Sequence, residues 1–285
     1  MGRRDAELVR KLDPMHMIMP LLYPGRCDNE AYISERIDLT AINRYLEEKN
    51  GSLQGEDEFR YTIFHVVVTA ILKTVKLRPK LNWFIANKRI YSRKDITAAF
   101  IVKKKFSDSG GEGLAVVRAE EGDNLESIHN KIKEQVYSCR GDSLDGSSKS
   151  MDIVCRLPFF LVRFVAWVCR KLDVHGKVPA AFIESDPYYC TAVLSNLGSI
   201  KLRSGYHHLT NWGTNSLFVI LGEKATRPVF SEDGTYEMRE SIDLGITIDE
   251  RIADGYYYSK SVRLIKKLLE NPWLLDRPLD EEVEY

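Results

Sequence analysis

The sequence has no excess of charge of either sign, since 41 lysines and arginines balance 41 aspartates and glutamates. Binding to the phosphate backbone of nucleic acid requires a basic surface, so we expect no nucleic-acid partner. Cysteine is also scarce, and the five cysteines are widely spaced without a Cys-x-x-Cys pair. This pattern indicates neither a disulfide framework nor a zinc site, and it favours a reducing, cytoplasmic compartment with no bound metal.

The N-terminus lacks the apolar core of a signal peptide and runs into sequence that predicts a short helix over residues 5–12. The rest of the chain alternates between strand-like and helix-like patterns, and we expect one domain over residues 1–285. Apolar periodicity predicts helices over 59–77 and 124–137. A nearly pure apolar run at 217–222 predicts a central strand covered on both faces.

Charge is concentrated between two apolar elements near the C-terminus. Residues 238–248 alternate as a strand, and 256–269 have the apolar spacing of a helix. Between them stands Asp249-Glu250-Arg251-Ile252-Ala253-Asp254-Gly255. A strand thus delivers an acidic pair, a basic residue and an Asp-Gly turn to the start of a helix.

This stretch resembles a signature of the 2-oxoacid dehydrogenase acyltransferases (dihydrolipoamide acyltransferases) and of chloramphenicol acetyltransferase. That signature is Asp-His-Arg, two apolar residues, then Asp-Gly, and here Glu250 stands in place of the histidine. Three further stretches are similar to the family in the same order, so that the resemblance covers residues 15–275: Pro79-Lys80-Leu81-Asn82, Ser195-Asn196-Leu197-Gly198 and Ile220-Leu221-Gly222. The resemblance implies an α/β fold, namely a chloramphenicol-acetyltransferase-like mixed sheet with helices packed on one face.

The resemblance also implies a function, which is transfer of an acyl group from coenzyme A (CoA) at sites formed between the subunits of a homotrimer. By position, Ser195 would donate to the developing oxyanion. Asp254 would orient the loop through a buried ion pair, for which Arg251 is one candidate partner. Asn196 and Gly255 would shape the two turns. The acyl group and its acceptor are not identified by the sequence.

Glu250 occupies the position of the family's catalytic base. A carboxylate has a reference pKa near 4.3 and a thiol one near 8.5, so Glu250 would need burial between strand and helix to act as a base. His207 and His208 offer a substitute, because histidine titrates near neutrality and the two lie in the loop after Ser195. The alternative is loss of activity, which would leave a trimeric scaffold or regulatory homologue. Two adjacent histidines and a distant Glu250 are weak support for a metal site.

Residues 140–187 depart from the family outline and predict a helical insertion. Arg156, Arg163 and Arg170 recur every seven residues on a helix that is otherwise apolar. The first interpretation is a helix packed on the domain or at a subunit contact. The second is peripheral membrane contact through residues 153–172, because basic residues flank a broad apolar face. We find no lipoyl-domain-like segment, so we expect a stand-alone domain without covalently bound lipoate.

Overall fold

A seven-stranded mixed sheet forms the centre of the protein. The computed structural model describes residues 3–53, 59–103, 112–140 and 157–285. The strands of this sheet are β2 (Glu30–Asp38), β5 (Ile96–Lys103), β6 (Glu112–Ala119), β7 (Ala192–Asn196), β8 (Leu217–Leu221), β9 (Ala225–Phe230) and β10 (Tyr236–Asp249). Their order in the sheet is β2-β10-β8-β7-β5-β6, with β9 paired to β10. The pairs β5–β7 and β7–β8 are parallel, and the other pairs are antiparallel.

The main core lies between this sheet and helices on one of its faces. Strand β10 places Ile242, Leu244, Ile246 and Ile248 in that core, because alternate side chains of a strand point to the same face. The predicted mixed sheet with helices on one face is therefore confirmed. The helices are α1 (Pro14–Leu22), α2 (Thr40–Gly51), α3 (Ile63–Leu77), α4 (Leu125–Arg140), α5 (Phe159–Val174), α6 (Ala180–Ser185) and α7 (Gly255–Glu270), of which α2, α3, α4 and α7 contribute to the core.

The other face of the sheet carries a smaller apolar cluster. Phe218 and Ile220 of β8 and Val193 of β7 lie in it together with Leu209. All five residues of β8 are buried, which confirms the prediction of a central strand covered on both faces. Residues 204–213, here called the crossing segment, supply part of this cover.

A second, three-stranded sheet has the order β1-β4-β3, with β1 at Ala6–Leu8, β3 at Trp83–Ala86 and β4 at Arg89–Arg93. The predicted helix over 5–12 is wrong, because Ala6–Leu8 pairs with β4 and Ala6 packs in a cluster with Phe84 and Tyr91. Pairing with a distant strand overrides the local helix propensity of this short, charged stretch.

Within the predicted insertion at 140–187, the structure shows α5 and α6, while residues 141–156 lie outside the described residues. Arg3 holds the end of α5 by donating to the Asp173 carbonyl and carboxylate oxygens at 2.8 and 2.9 Å. Within the described ranges, no helix is both long and apolar enough to cross a membrane.

Candidate active site

The acidic motif begins with a buried ion pair at the end of β10. Asp249 is completely buried, and its carboxylate accepts from Arg251 Nε at 2.8 Å and from Nη2 at 2.7 Å. A short 3-10 turn over Glu250–Ile252 brings the arginine back onto the strand end. Arg26 lies 3.7 Å from the same carboxylate, and burial lowers its pKa below the ordinary value. Two cations thus fix one buried anion and, with it, the loop that follows β10.

The predicted ion pair between Arg251 and Asp254 is wrong, since the partner of Arg251 is Asp249. Asp254 is exposed and is the N-cap of α7, where its carboxylate accepts from Tyr257 N at 2.8 Å. A carboxylate in this position satisfies one of the free amides of the first turn, so Asp254 does orient the loop, although by capping. Gly255 is the first residue of α7, and a Cβ there would meet no atom within 4 Å.

The burial between strand and helix that Glu250 would need to act as a base is not found in the single chain. Its side chain is exposed, and its backbone N donates to the Asn29 carbonyl at 3.0 Å. The 3-10 turn sends Glu250 outward while Arg251 and Ile252 turn into the core. Within one protomer, Glu250 therefore points to solvent.

Ser195 lies at the opposite end of the sheet from Glu250. In the strand register Ser195 is beside Ile220, and Ile220 pairs with Gly245. Glu250 follows Gly245 by five residues, which corresponds to about 16 Å along the strand at ~3.3 Å per residue. The structure therefore does not bring Ser195 and Glu250 together within one chain.

A cavity of about 590 Å³ opens beside Ser195. The end of β7 forms one wall, and the N-terminal turn of α3, the end of β5 and one face of α4 form the others. Its lining includes Thr62, His65, Phe100, Val136, Leu194, Ser195, Asn196 and Leu197. The cavity is mostly apolar, with hydroxyl, amide and imidazole groups placed at its wall, which is typical of a small-molecule site.

The turn after Ser195 is held by local bonds. The Asn196 side chain accepts from Ser199 N at 3.3 Å, and Ser199 Oγ donates to the Asn196 carbonyl at 2.7 Å. A Cβ at Gly198 would lie 2.7 Å from the Gly222 carbonyl oxygen, so only glycine fits here. Asn196 and Ser199 thus close the turn that fixes the direction of the Ser195 strand end.

His65 is a residue of the cavity wall that the motifs in the sequence did not indicate. His65 is buried, lines the cavity and accepts from Thr62 N at 2.9 Å through Nδ1. Burial, with a smaller effect of His129, lowers the pKa of His65 to about 3. The imidazole is therefore neutral at pH 7 and a weak base, and it serves as the cap of α3. The signal in the sequence is the spacing Thr62-x-x-His65, a capping box with histidine in the place of Glu or Gln.

His207 and His208 lie on the crossing segment, on the sheet face away from the helices. The His207 ring stacks on Phe218 with ring centres 4.4 Å apart and an interplanar angle of 11°. Phe218 pairs with Thr247, three residues before Glu250. Phe218 is also two residues from Ile220, the neighbour of Ser195, so the His207 ring lies between the rows of Ser195 and Glu250. It lies on the sheet face opposite α3 and α4, which line the cavity beside Ser195.

Hydrogen bonds fix the crossing segment to this end of the sheet. Arg26 Nη1 donates to the Thr210 carbonyl at 2.6 Å, and Leu209 N donates to the carboxylate of Glu30, which pairs with Asp249 across β2 and β10. Tyr32 Oη donates to the same Glu30 side chain. The segment that carries the histidines is thus bonded to Arg26, which faces the buried Asp249 carboxylate.

His207 has a defined tautomer. Its Nδ1 lies 2.9 Å from the backbone carbonyl oxygen of His208, and a carbonyl only accepts hydrogen bonds. Nδ1 therefore carries the hydrogen of the neutral ring, and Nε2 is left with its lone pair to accept a proton. Among the described residues no cluster of three histidine, cysteine, aspartate or glutamate side chains is arranged to hold a metal ion.

The chain is similar to known proteins in part of its sequence and in its fold. Residues 188–276, which contain Ser195, both histidines and the acidic motif, match the model of the 2-oxoacid dehydrogenases acyltransferase (catalytic domain) family. Among curated proteins, no sequence matches the chain. The predicted resemblance to this family is confirmed over these residues.

Solved structures show the same fold at low sequence identity. A probable dihydrolipoamide acetyltransferase from Listeria monocytogenes is similar with a TM-score of 0.60 and 18% identity, covering 93% of this chain and 94% of that one. The dihydrolipoamide acetyltransferase of Azotobacter vinelandii is similar with a TM-score of 0.60 and 14% identity, covering 94% of each chain; that structure comes from a study of a serine, a histidine and an asparagine in its catalytic mechanism. A chloramphenicol acetyltransferase is similar with a TM-score of 0.53 and 12% identity, covering 93% of this chain and 99% of that one. The predicted chloramphenicol-acetyltransferase-like fold is confirmed.

Proposed function

We propose that the chain is a CoA-dependent acyltransferase that acts as a homotrimer, with each active site formed by two protomers. The observation that carries this proposal is the division of the candidate site between separate parts of one sheet. Ser195 opens onto the cavity lined by α3 and α4, whereas His207 stacks on the opposite face of the sheet and Glu250 lies at the far end of β10. Within the described part of one protomer, Ser195 lacks a candidate base beside it, and a second copy of the chain would supply His207, His208 and Glu250.

The reaction is acyl transfer from the CoA thioester to an acceptor with a thiol, hydroxyl or amine group. The acceptor atom attacks the thioester carbonyl as a base removes its proton, and Ser195 Oγ donates to the oxyanion of the tetrahedral intermediate. The C–S bond then breaks, and the base returns the proton to the CoA thiolate. The chain needs no lipoyl group of its own for this step.

His207 is the base in this proposal. Its Nδ1 hydrogen is directed to the His208 carbonyl, so Nε2 is the proton acceptor, and stacking on Phe218 holds the ring in place. Glu250 is exposed at the end of β10, where it would orient the acceptor or His207 of the same protomer. Asp254 and Arg251 hold the loop that carries Glu250.

The setting proposed for this activity is the cytoplasm, with the chain working as a single domain. Cys27, Cys169 and Cys190 are free thiols, which supports a reducing compartment.

The test is turnover of acyl-CoA by purified variants, with release of free CoA as the readout. We expect Ser195→Ala to lower kcat by about 10²–10³, the usual loss for an oxyanion donor. We expect His207→Ala to lower kcat by about 10²–10⁴, the usual contribution of a general base, and His208→Ala to have a smaller effect. Undiminished turnover in both histidine variants would exclude them as the base.

His175→Ala is the matched control for the histidine variants, because His175 is exposed at the end of α5, on another element. The second candidate function is a trimeric scaffold without activity, and the exposed Glu250 in the place of the motif histidine favours it. Absence of any CoA release from a range of acyl-CoA donors, by a correctly assembled trimer, would decide for the scaffold.

A further inference from the structure

Helix α5 presents its most apolar side to solvent. Phe160, Phe164 and Trp167 follow a spacing of four and three residues, so they lie on one face, and all three are exposed. Val162, Ala166, Cys169 and Asp173 follow the same spacing on the other face and are half-buried. A surface helix of a soluble domain ordinarily has the opposite arrangement, with charge outward and large apolar residues inward.

Cations border this aromatic face. Arg163 and Arg170 are seven residues apart and lie on one side of it, and Lys171 stands within the face, with its ammonium 5.9 Å from the centre of the Trp167 ring. The single acid of the helix, Asp173, lies on the inner side and pairs with Arg3. The outward side of α5 is therefore aromatic and cationic, with no anion on it.

The positive charge of the outward side of α5 favours an anionic lipid surface over a second copy of α5 as its partner. Two copies of α5 packed face to face would bring six outward cations together with no anion on either outward side, which is unfavourable. The helix has 16 residues and does not cross a membrane. A helix with exposed aromatic residues and flanking Lys and Arg matches the plane of an anionic lipid surface, where rings enter the headgroup boundary and cations contact phosphates.

We propose that α5 is a peripheral membrane anchor that binds anionic lipid headgroups through Arg163, Arg170 and Lys171 and inserts Phe160, Phe164 and Trp167. Membrane contact through residues 153–172 is the second interpretation of the sequence, beside packing on the domain or at a subunit contact, and residues 153–156 lie outside the described residues. This proposal uses no residue of the proposed active site, so it does not rest on the proposed function. Arg3 fixes α5 to the domain at its C-terminal end.

The experiment is flotation of the full chain with vesicles of phosphatidylcholine alone and of phosphatidylcholine mixed with phosphatidylglycerol. We expect binding to the mixed vesicles, weaker binding as salt rises, and little binding to phosphatidylcholine alone. Phe160→Glu should abolish binding. Arg163→Gln with Arg170→Gln should weaken it on the order of tenfold or more, since each cation contributes separately.

Two matched controls separate α5 from a general effect of surface composition. Phe230→Glu changes an equally exposed phenylalanine, because Phe160 and Phe230 are both 68% exposed. Arg44→Gln with Arg263→Gln removes two exposed arginines on other helices. Both controls should bind as the unmodified chain does, and tryptophan emission should shift to the blue on vesicle binding in the unmodified chain but not in Trp167→Phe.

Three outcomes would overturn the proposal. The first is no binding of the unmodified chain to the mixed vesicles. The second is equal binding by Phe160→Glu and Phe230→Glu, which would place the lipid contact elsewhere. The third is a smaller oligomer of Phe160→Glu in sedimentation velocity without lipid, which would assign the aromatic face to a second copy of the chain.

Discussion

At the scale of single residues, the buried ion pair at the end of β10 is the contact whose loss we expect to lower stability strongly. Asp249 faces both Arg251 and Arg26, and all three side chains are buried. Removing the carboxylate leaves two buried cations without an anion. We expect Asp249→Asn to lower the free energy of unfolding by about 3–5 kcal/mol, measured by urea denaturation.

Asp254→Asn is the control for this change, because it makes the same substitution five residues later in the same motif. Asparagine caps a helix as well as aspartate does, so we expect a change within about 0.5 kcal/mol. A larger loss in Asp254→Asn than in Asp249→Asn would contradict the assignment of the pair to Asp249.

His65 gives the stability of the protein a dependence on pH. Its folded-state pKa is lowered to about 3, while the unfolded chain takes up a proton below about 6.5. The unfolded state then binds more protons, so stability present above pH 6.5 is lost as pH falls toward 3. Between pH 7 and pH 5 we expect His65 to account for a loss of about 2 kcal/mol.

His65→Gln tests this directly. Glutamine at this position keeps the capping box with Thr62 but does not titrate. The free energy of unfolding of the variant should therefore fall less between pH 7 and pH 5, by about the 2 kcal/mol assigned to His65. Equal slopes in the two proteins would show that His65 takes up its proton at the same pH folded and unfolded.

At the scale of elements, β10 and the crossing segment touch through their backbones. A Cβ at Gly245 would lie 1.8 Å from the Gly205 carbonyl oxygen, so Gly245→Ala must push the crossing segment off the sheet. We expect a loss of stability of about 1–3 kcal/mol together with a fall in kcat, because His207 moves with the segment. The measurements are urea denaturation and CoA release.

Gly51→Ala is the matched control, since a Cβ at Gly51 meets no atom within 4 Å and its φ is not in the left-handed region. It should leave both stability and turnover close to those of the unmodified chain. A neutral Gly245→Ala would mean that the crossing segment can shift without cost.

Elements with long, strong patterns were predictable from the sequence, and contacts made between distant segments were not. The helix predicted at 59–77 is found at Ile63–Leu77, and the strand at 238–248 lies within Tyr236–Asp249. The motif indicated a charged loop with Arg251 as one candidate partner of Asp254, but spacing alone does not show that Asp249 is the carboxylate that turns inward. The cavity beside Ser195 is formed by α3, α4, β5 and β7 together, and no local pattern predicts it.

At the scale of the whole molecule, the two ends of one sheet set the geometry of the proposed site. Ser195 and the Glu250 end are separated along β8 and β10, and neither end can bend toward the other in a sheet covered on both faces. In the proposed ring of identical copies, the Ser195 cavity of one protomer meets the His207 and Glu250 side of the next. This is a heterologous contact, which closes at three copies in the proposed trimer.

Two inactive variants should therefore restore activity when they assemble together. In trimers formed from equal amounts of Ser195→Ala and His207→Ala chains, about one quarter of the interfaces join an intact serine to an intact histidine. We expect about that fraction of the unmodified turnover after co-expression, with mixed trimers verified by mass spectrometry. Mixing the two purified homotrimers without exchange should give none, and absence of recovery in verified mixed trimers would show that Ser195 and His207 do not act across subunits.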